Sequence, residues 1–152
     1  MTRPRGQWVV DASVALKWHL RDEQHLAQAD ALLNAFIGGG VELLAPSFIR
    51  YEVANAFLFA YKMGRISFEM AREQLRDFLA LPLHQTEDSN GLVSAAMELA
   101  SRLDIAVYDA LYLELARQAG VPFVTADRQL YDKARSALPL TTWVEDLGVE
   151  TR

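Results

Sequence analysis

Apolar residues along this chain fall into two alternating patterns, short unbroken runs and longer stretches spaced three or four apart. Trp8-Val9-Val10 is a run of the first kind and reads as a buried strand ending at Asp11. Helical spacing follows over residues 13–20 and again over 22–37, where Leu26, Ala29, Leu33, Phe36 and Ile37 precede a stop at Gly38-Gly39-Gly40. Glu42-Leu43-Leu44 predicts a second strand, and Pro46 suits the first turn of the helix expected over 47–63. One face of that helix carries Ile49, Val53, Ala56, Phe57 and Ala60. Ser67 is placed to cap a helix over 68–80, and Leu83-His84-Gln85-Thr86 predicts a weaker third strand.

Beyond that strand, Asp88 or Ser89 caps a helix reaching residue 103, and another helix over 107–119 ends at Gly120. Residues 122–125 read as a strand, 128–137 as a short helix and 140–144 as a last strand. Short apolar strands alternating with amphipathic helices build βαβ units, which places a parallel sheet between two helical layers. The expected fold class is therefore a three-layer α/β/α domain. Neither a repeat nor a Pro/Gly-rich linker divides the chain, so residues 1–152 are read as one domain with its core over 8–144.

Composition narrows the function classes. The 152 residues are 51% hydrophobic and 23% charged, the balance of an ordinary globular domain rather than a disordered or fibrous chain. Cysteine is absent, which excludes thiol catalysis, disulfides and cysteine-ligated zinc. The apolar stretch after the polar N-terminus is broken at Asp11, too early for a signal-peptide core, and no run is long enough to span a membrane. These features lead to the expectation of a soluble cytoplasmic protein. A net charge of −5 argues against nucleic-acid binding through bulk positive charge, but not against a local cluster of acids holding a metal ion.

Four carboxylates occupy related positions in this reading. Asp11 follows the first strand and Asp127 lies two residues beyond Thr125 at the end of a later one, while Glu52 and Asp109 lie early in their helices. In a parallel sheet these positions belong to one edge, the edge beyond which ligands gather. Taken singly, each has a plainer account: Asp11 and Asp127 as helix caps, Asp109 as a dipole partner, Glu52 as a solvated helix residue. Taken jointly, two such charges about 5 Å apart repel by roughly 3 kcal/mol at an effective dielectric of about 20. A divalent cation relieves that repulsion, and oxygen donors favour Mg²⁺ or Mn²⁺. Such an ion activates water and balances charge on a phosphodiester under attack. Ser13 and Thr125 add hydroxyls beside two of the acids, where they are expected to hold a water on the metal.

The segments Val9-Val10-Asp11-Ala12-Ser13, Tyr51-Glu52-Val53-Ala54-Asn55-Ala56, Tyr108-Asp109-Ala110-Leu111-Tyr112 and Val124-Thr125-Ala126-Asp127-Arg128-Gln129-Leu130 resemble PIN-domain proteins, and most closely the toxin ribonucleases of VapBC toxin–antitoxin pairs. The Tyr-Asp-Ala and Thr-Ala-Asp segments are the most specific. The resemblance runs from Trp8 to Val144. It implies a Mg²⁺-dependent endoribonuclease whose metal-binding and catalytic acids are Asp11, Glu52, Asp109 and Asp127, with Ser13 and Thr125 as auxiliary hydroxyls. It also implies a homodimer, an RNA substrate and neutralisation by an antitoxin protein. Many PIN toxins carry a small residue such as Gly where Asp104 stands here.

Other features have simpler readings. His19, His25 and His84 are scattered without zinc-ligand spacing, and Ser13 sits in no nucleophile elbow. The aromatic residues Phe48, Tyr51, Phe57, Phe59 and Tyr61 exceed what one buried helix face needs, and the excess is expected to form a dimer or antitoxin surface. Arg3, Arg5, Lys17, Arg50, Lys62, Arg65 and Arg128 are the candidate phosphate contacts. Two rival functions are a PIN-like module that binds RNA or protein without cutting, and a phosphoaspartyl phosphatase with Asp11 as nucleophile. The second would normally carry another Asp where Ser13 stands.

Overall fold

The structure is a computed structural model, and it describes residues 4–148. Five strands form one parallel sheet: β1 (Gly6–Val10), β2 (Val41–Pro46), β3 (His84–Thr86), β4 (Phe123–Thr125) and β5 (Thr141–Trp143). Their spatial order is β3-β2-β1-β4-β5. The chain therefore winds outward from β1 in one direction, then returns to pair β4 on its other side. Val9 lies opposite Phe123 and Val10 opposite Val124, and the ladder ends with the Asp11 amide donating to Val124 O at 3.0 Å. Between β1 and β4 the strand order reverses, which opens a crevice at the carboxyl ends of these two strands.

The helices are α1 (Ala12–Ala15), α2 (Leu26–Ile37), α3 (Ile49–Lys62), α4 (Phe68–Leu79), α5 (Asn90–Leu103), α6 (Val107–Ala119) and α7 (Arg128–Ala134). Consecutive residues of β1, Trp8, Val9 and Val10, are all buried. Since neighbours in a strand point to opposite faces, both faces of the sheet are covered, as three layers require. Helix α6 packs against β1, β2 and β4, α2 against β2, and α7 against β4 and β5, while α5 backs α6 and α4 backs α3. No helix among the described residues is long and apolar enough to cross a membrane.

Capping followed local chemistry where a side chain was placed for it. Ser67 Oγ accepts from the Met70 amide and Ser89 Oγ from the Leu92 amide, both at 3.1 Å, so Ser89 rather than Asp88 starts α5. Three expectations need correction. The helix over 13–20 is only Ala12–Ala15 followed by a 3-10 turn, Leu16–Trp18, because Trp18 turns inward to donate its indole N–H to Ala29 O at 2.9 Å. The next helix begins at Leu26 rather than 22, after His25 takes a left-handed conformation (φ 57°). Pro46 ends β2 instead of opening α3, a position where its missing N–H costs the ladder nothing. Asp104, at φ 54° after α5, occupies the left-handed conformation that glycine adopts most readily. Lys133 Nζ donates to Asp104 O at 2.6 Å across this turn.

Candidate active site

Asp11 sits at the mouth of the crevice, buried, directly after β1. It holds the N-cap position of α1, yet its carboxylate caps no helix amide. Its Oδ2 instead accepts from Ser13 Oγ at 2.6 Å and from Thr125 Oγ1 at 2.7 Å. Each hydroxyl is also an acceptor, Ser13 Oγ from the Ala126 amide at 2.9 Å and Thr125 Oγ1 from the Asp127 amide at 3.0 Å. A hydroxyl has one proton, so both donations to Asp11 are fixed by the amides that fill the other side. Both hydroxyls thus direct their protons at the Asp11 carboxylate. Burial raises the Asp11 carboxyl above the usual carboxylate range, the two hydroxyls oppose that rise, and the charge of Asp127 adds to it.

The other three acids face the same crevice from separate elements. Glu52, in the first turn of α3, is half-buried and accepts from the Tyr112 hydroxyl at 2.8 Å through Oε1. Burial pushes its carboxyl up to about 7; the Tyr112 hydrogen bond lowers it, and the charges of Asp11 and Asp109 raise it further. Asp109, in the first turn of α6, rises to about 6, first through burial and then through Asp11 and Asp127. Asp127 caps α7, its Oδ1 accepting from the Leu130 amide at 3.1 Å, so the plainer account of this residue holds beside any chemical one. Each acid thus senses at least one other, and the four form one electrostatic neighbourhood. None of the ion pairs among the described residues brings a Lys or Arg to any of them.

This donor set fits a hard cation: all oxygen, strongly negative, partly buried and, among the described residues, paired with no Lys or Arg. Among the described residues, however, no three acids or histidines converge tightly enough to enclose an ion.

Tyr112 was not singled out in the sequence for its own chemistry. It is fully buried on α6, with Phe48 at 5.5 Å and Phe123 at 5.9 Å between ring centroids, and its hydroxyl is aimed at Glu52. Its place three residues after Asp109 puts it on the same helix face, which was the available signal. Beside Glu52 and Asp109 lies an open groove of about 530 Å³, walled by Phe48, Tyr51, Asn55, Ala106 and Tyr108.

Several candidate phosphate contacts are otherwise engaged. Lys17 is buried and donates from Nζ to Gln24 O at 2.8 Å. Arg65 pairs with Asp22 and Glu23, and Arg128 pairs with Asp132 and lies over the Tyr131 and Trp143 rings. Arg3 lies outside the described residues. Arg5, Arg50 and Lys62 are exposed. Of the histidines, His19 packs edge-on against Phe57 and Phe78. The aromatic excess of α3 divides: Phe57 is in the core, Phe48 is partly buried, and Tyr51, Phe59 and Tyr61 face solvent.

A family model of the PIN domain matches residues 8–136. Among curated relatives, Ribonuclease VapC3 of Pyrobaculum aerophilum is 30% identical over 129 residues, covering 82% of this chain and 92% of the relative. Exonuclease VapC9 of the same organism is 27% identical over 100 residues, 66% of this chain and 73% of the relative. Among solved structures, the crystal structure of PAE2754 from Pyrobaculum aerophilum superposes with a TM-score of 0.63 at 24% identity, over 91% of this chain and 84% of that one. VapBC2 from Rickettsia felis, bound to a DNA fragment from its promoter, gives 0.61 at 14% identity, over 90% and 96% of the two chains. These last two likenesses speak to fold alone. The parallel sheet with its order β3-β2-β1-β4-β5, the acids grouped at its carboxyl edge and the match over residues 8–136 lead to one statement: this chain belongs to the PIN domain family.

Proposed function

We propose that the chain is the toxin component of a VapBC-type pair, a cytoplasmic endoribonuclease that hydrolyses RNA phosphodiesters with Mg²⁺ or Mn²⁺ and is held in check by an antitoxin protein. The observation that carries this reading is the grouping of Asp11, Glu52, Asp109 and Asp127 at the strand-order reversal, with no Lys or Arg among the described residues paired to them. Its likeness to a protein named as a ribonuclease, along nearly that protein's whole length, supports the substrate class. In this reading the whole chain acts as one PIN unit and works as a homodimer.

Asp11 and Asp109 would hold the cation, with Glu52 and Asp127 reaching it directly or through water. When bound, a divalent cation activates water and balances the charge of the phosphodiester under attack. The rest falls to the protein. Ser13 and Thr125 keep Asp11 fixed in one orientation and favour its ionised form, against the burial that opposes it. Tyr112 holds Glu52 by one oxygen and leaves the other directed elsewhere. Because Glu52 and Asp109 hold protons more tightly than free carboxyls, cation binding must release protons, so affinity for the cation rises with pH.

A second reading, a module that grips RNA or protein without cutting, has one observation in its favour: Asp127 already serves as a helix cap. Cleavage of total RNA and transfer RNA separates the two, using wild type, Asp11→Asn and Asp109→Asn purified in parallel, with Mg²⁺, Mn²⁺ or EDTA. Metal-dependent cutting lost in both variants supports the nuclease. Equal cutting by all three marks contamination, and binding without cutting by wild type favours the module.

A further inference from the structure

Two exposed tyrosines flank the groove beside the acids. Tyr51 on α3 is 72% exposed and Tyr108 on α6 is 64% exposed, an unusual outlay of aromatic surface to water at the edge of a polar site. Tyr108 is held from behind: the Phe48 ring meets it at 5.5 Å and 76°, edge to face, and Phe48 is itself fixed against buried Tyr112. The groove walls are these rings, the Asn55 amide and the small Ala106, with no branched aliphatic side chain among them. Glu52 and Asp109 share its lining, so whatever lies in the groove meets two of the acids.

We infer that this groove is a stacking subsite for unpaired bases of single-stranded RNA, seating a nucleotide next to the phosphate that reaches the acids; the inference rests on RNA being the substrate. Stacking on aromatic rings suits a chain of net charge −5, because it binds nucleic acid without a basic surface and tolerates any base. Arg50 adds the one cation the subsite needs. Its Nε donates to Ser47 O at 3.3 Å and its guanidinium carbon lies 5.8 Å from the centroid of the groove-lining Tyr51 ring. It makes no ion pair among the described residues, which leaves its charge for a phosphate beside that ring. Continuity with the acids and a lining of rings and amide distinguish this surface from the patch farther along α3 and into α4. There Phe59, Met63, Phe68 and Met70 are exposed, flexible methionines among aromatics, the composition of a protein-binding face.

The test uses an oligoadenylate of eight ribonucleotides carrying one 2-aminopurine, bound to the Asp11→Asn protein in Mg²⁺ buffer, with fluorescence quenching and anisotropy as readouts. Stacking predicts quenching on binding, and a loss of about 5- to 100-fold in affinity with Tyr51→Ala or Tyr108→Ala. The Phe substitutions at both positions retain affinity, and thermal melts show whether each variant is folded. Tyr61→Ala serves as control, since Tyr61 is exposed on the same helix but lies against Phe68 outside the groove. Absence of quenching, undiminished binding by the two Ala variants, or equal loss with Tyr61→Ala would overturn the inference. So would loss of self-association or of antitoxin capture with RNA binding intact, which would assign the groove to a protein. Quenching that behaves as predicted while wild type cuts no RNA would instead defeat the nuclease reading and leave the subsite standing.

Discussion

Glu52→Gln should make the metal-free protein more stable above neutral pH. The substitution keeps an oxygen to accept from the Tyr112 hydroxyl, now at 2.8 Å from Oε1, and removes only the charge. In the folded protein the Glu52 carboxyl is raised from its ordinary 4.5 to about 7 by burial and by Asp11 and Asp109. A raised acid binds more protons folded than unfolded between those two values, so its stabilising contribution is complete below about 4.5 and is lost as pH climbs through 7. The full shift corresponds to about 3 kcal/mol. Glu52 is only half-buried, and screening by water reduces the expected effect to about 1.5–2 kcal/mol. Urea unfolding of both proteins in EDTA at steps from pH 4.5 to 8.5 reads this directly. The two curves should lie close together at the acid end, with wild type falling away as pH rises and the variant keeping only the slopes due to its other shifted groups, Asp109, Asp11 and His19 among them. Equal stability at pH 8, or a less stable variant, would mean that the crevice does not disfavour the charge of Glu52, and the argument for an uncompensated acid cluster would fail with it.

Three other outcomes follow from the same geometry. Thr125→Val removes a buried donor to Asp11 and the acceptor of the Asp127 amide, so it should cost about 2–4 kcal/mol in urea unfolding and weaken Mn²⁺ binding measured by calorimetry. Mg²⁺ at about a hundred times its dissociation constant should stabilise wild type by about 2.7 kcal/mol at pH 7.5, less at pH 5.5 where Glu52 and Asp109 hold protons, and Asp11→Asn not at all, in thermal melts with and without EDTA. Asp104→Gly should raise stability by about 0.5–1 kcal/mol, since it relieves a left-handed conformation at the end of α5; an unchanged or lowered melting temperature would show that Lys133 compensates for the strain.

The fold was legible because buried parallel strands are continuous apolar runs, and those in this chain end at residues that cannot be buried cheaply. Trp8-Val9-Val10 before Asp11 is the clearest instance, and the same feature drew attention to the acid itself. Less legible were features decided by distant partners. Nothing near Trp18 announces that its indole reaches Ala29, which tightens the helix after Ala15 into a 3-10 turn. Lys17 reads as a surface charge until Gln24 supplies a carbonyl to it. Tyr112 reads as core, and it is core; only its hydroxyl belongs to the site. The sequence places hydroxyls near Asp11, but the direction of each depends on the Ala126 and Asp127 amides, which the fold brings up from elsewhere.

The contact between Asp11 and Thr125 joins positions 114 residues apart, and β1 borders β4 only after β2, β3 and the intervening helices have been laid down. The crevice consequently has no early form. While the chain is still emerging from the ribosome, Asp11 has neither its strand neighbour nor one of its two hydroxyl donors, and Asp127 has not been made. The four acids can therefore be brought together only once β4 has joined β1, so the repulsion of grouping them falls late in folding, after β1 and β2 have paired.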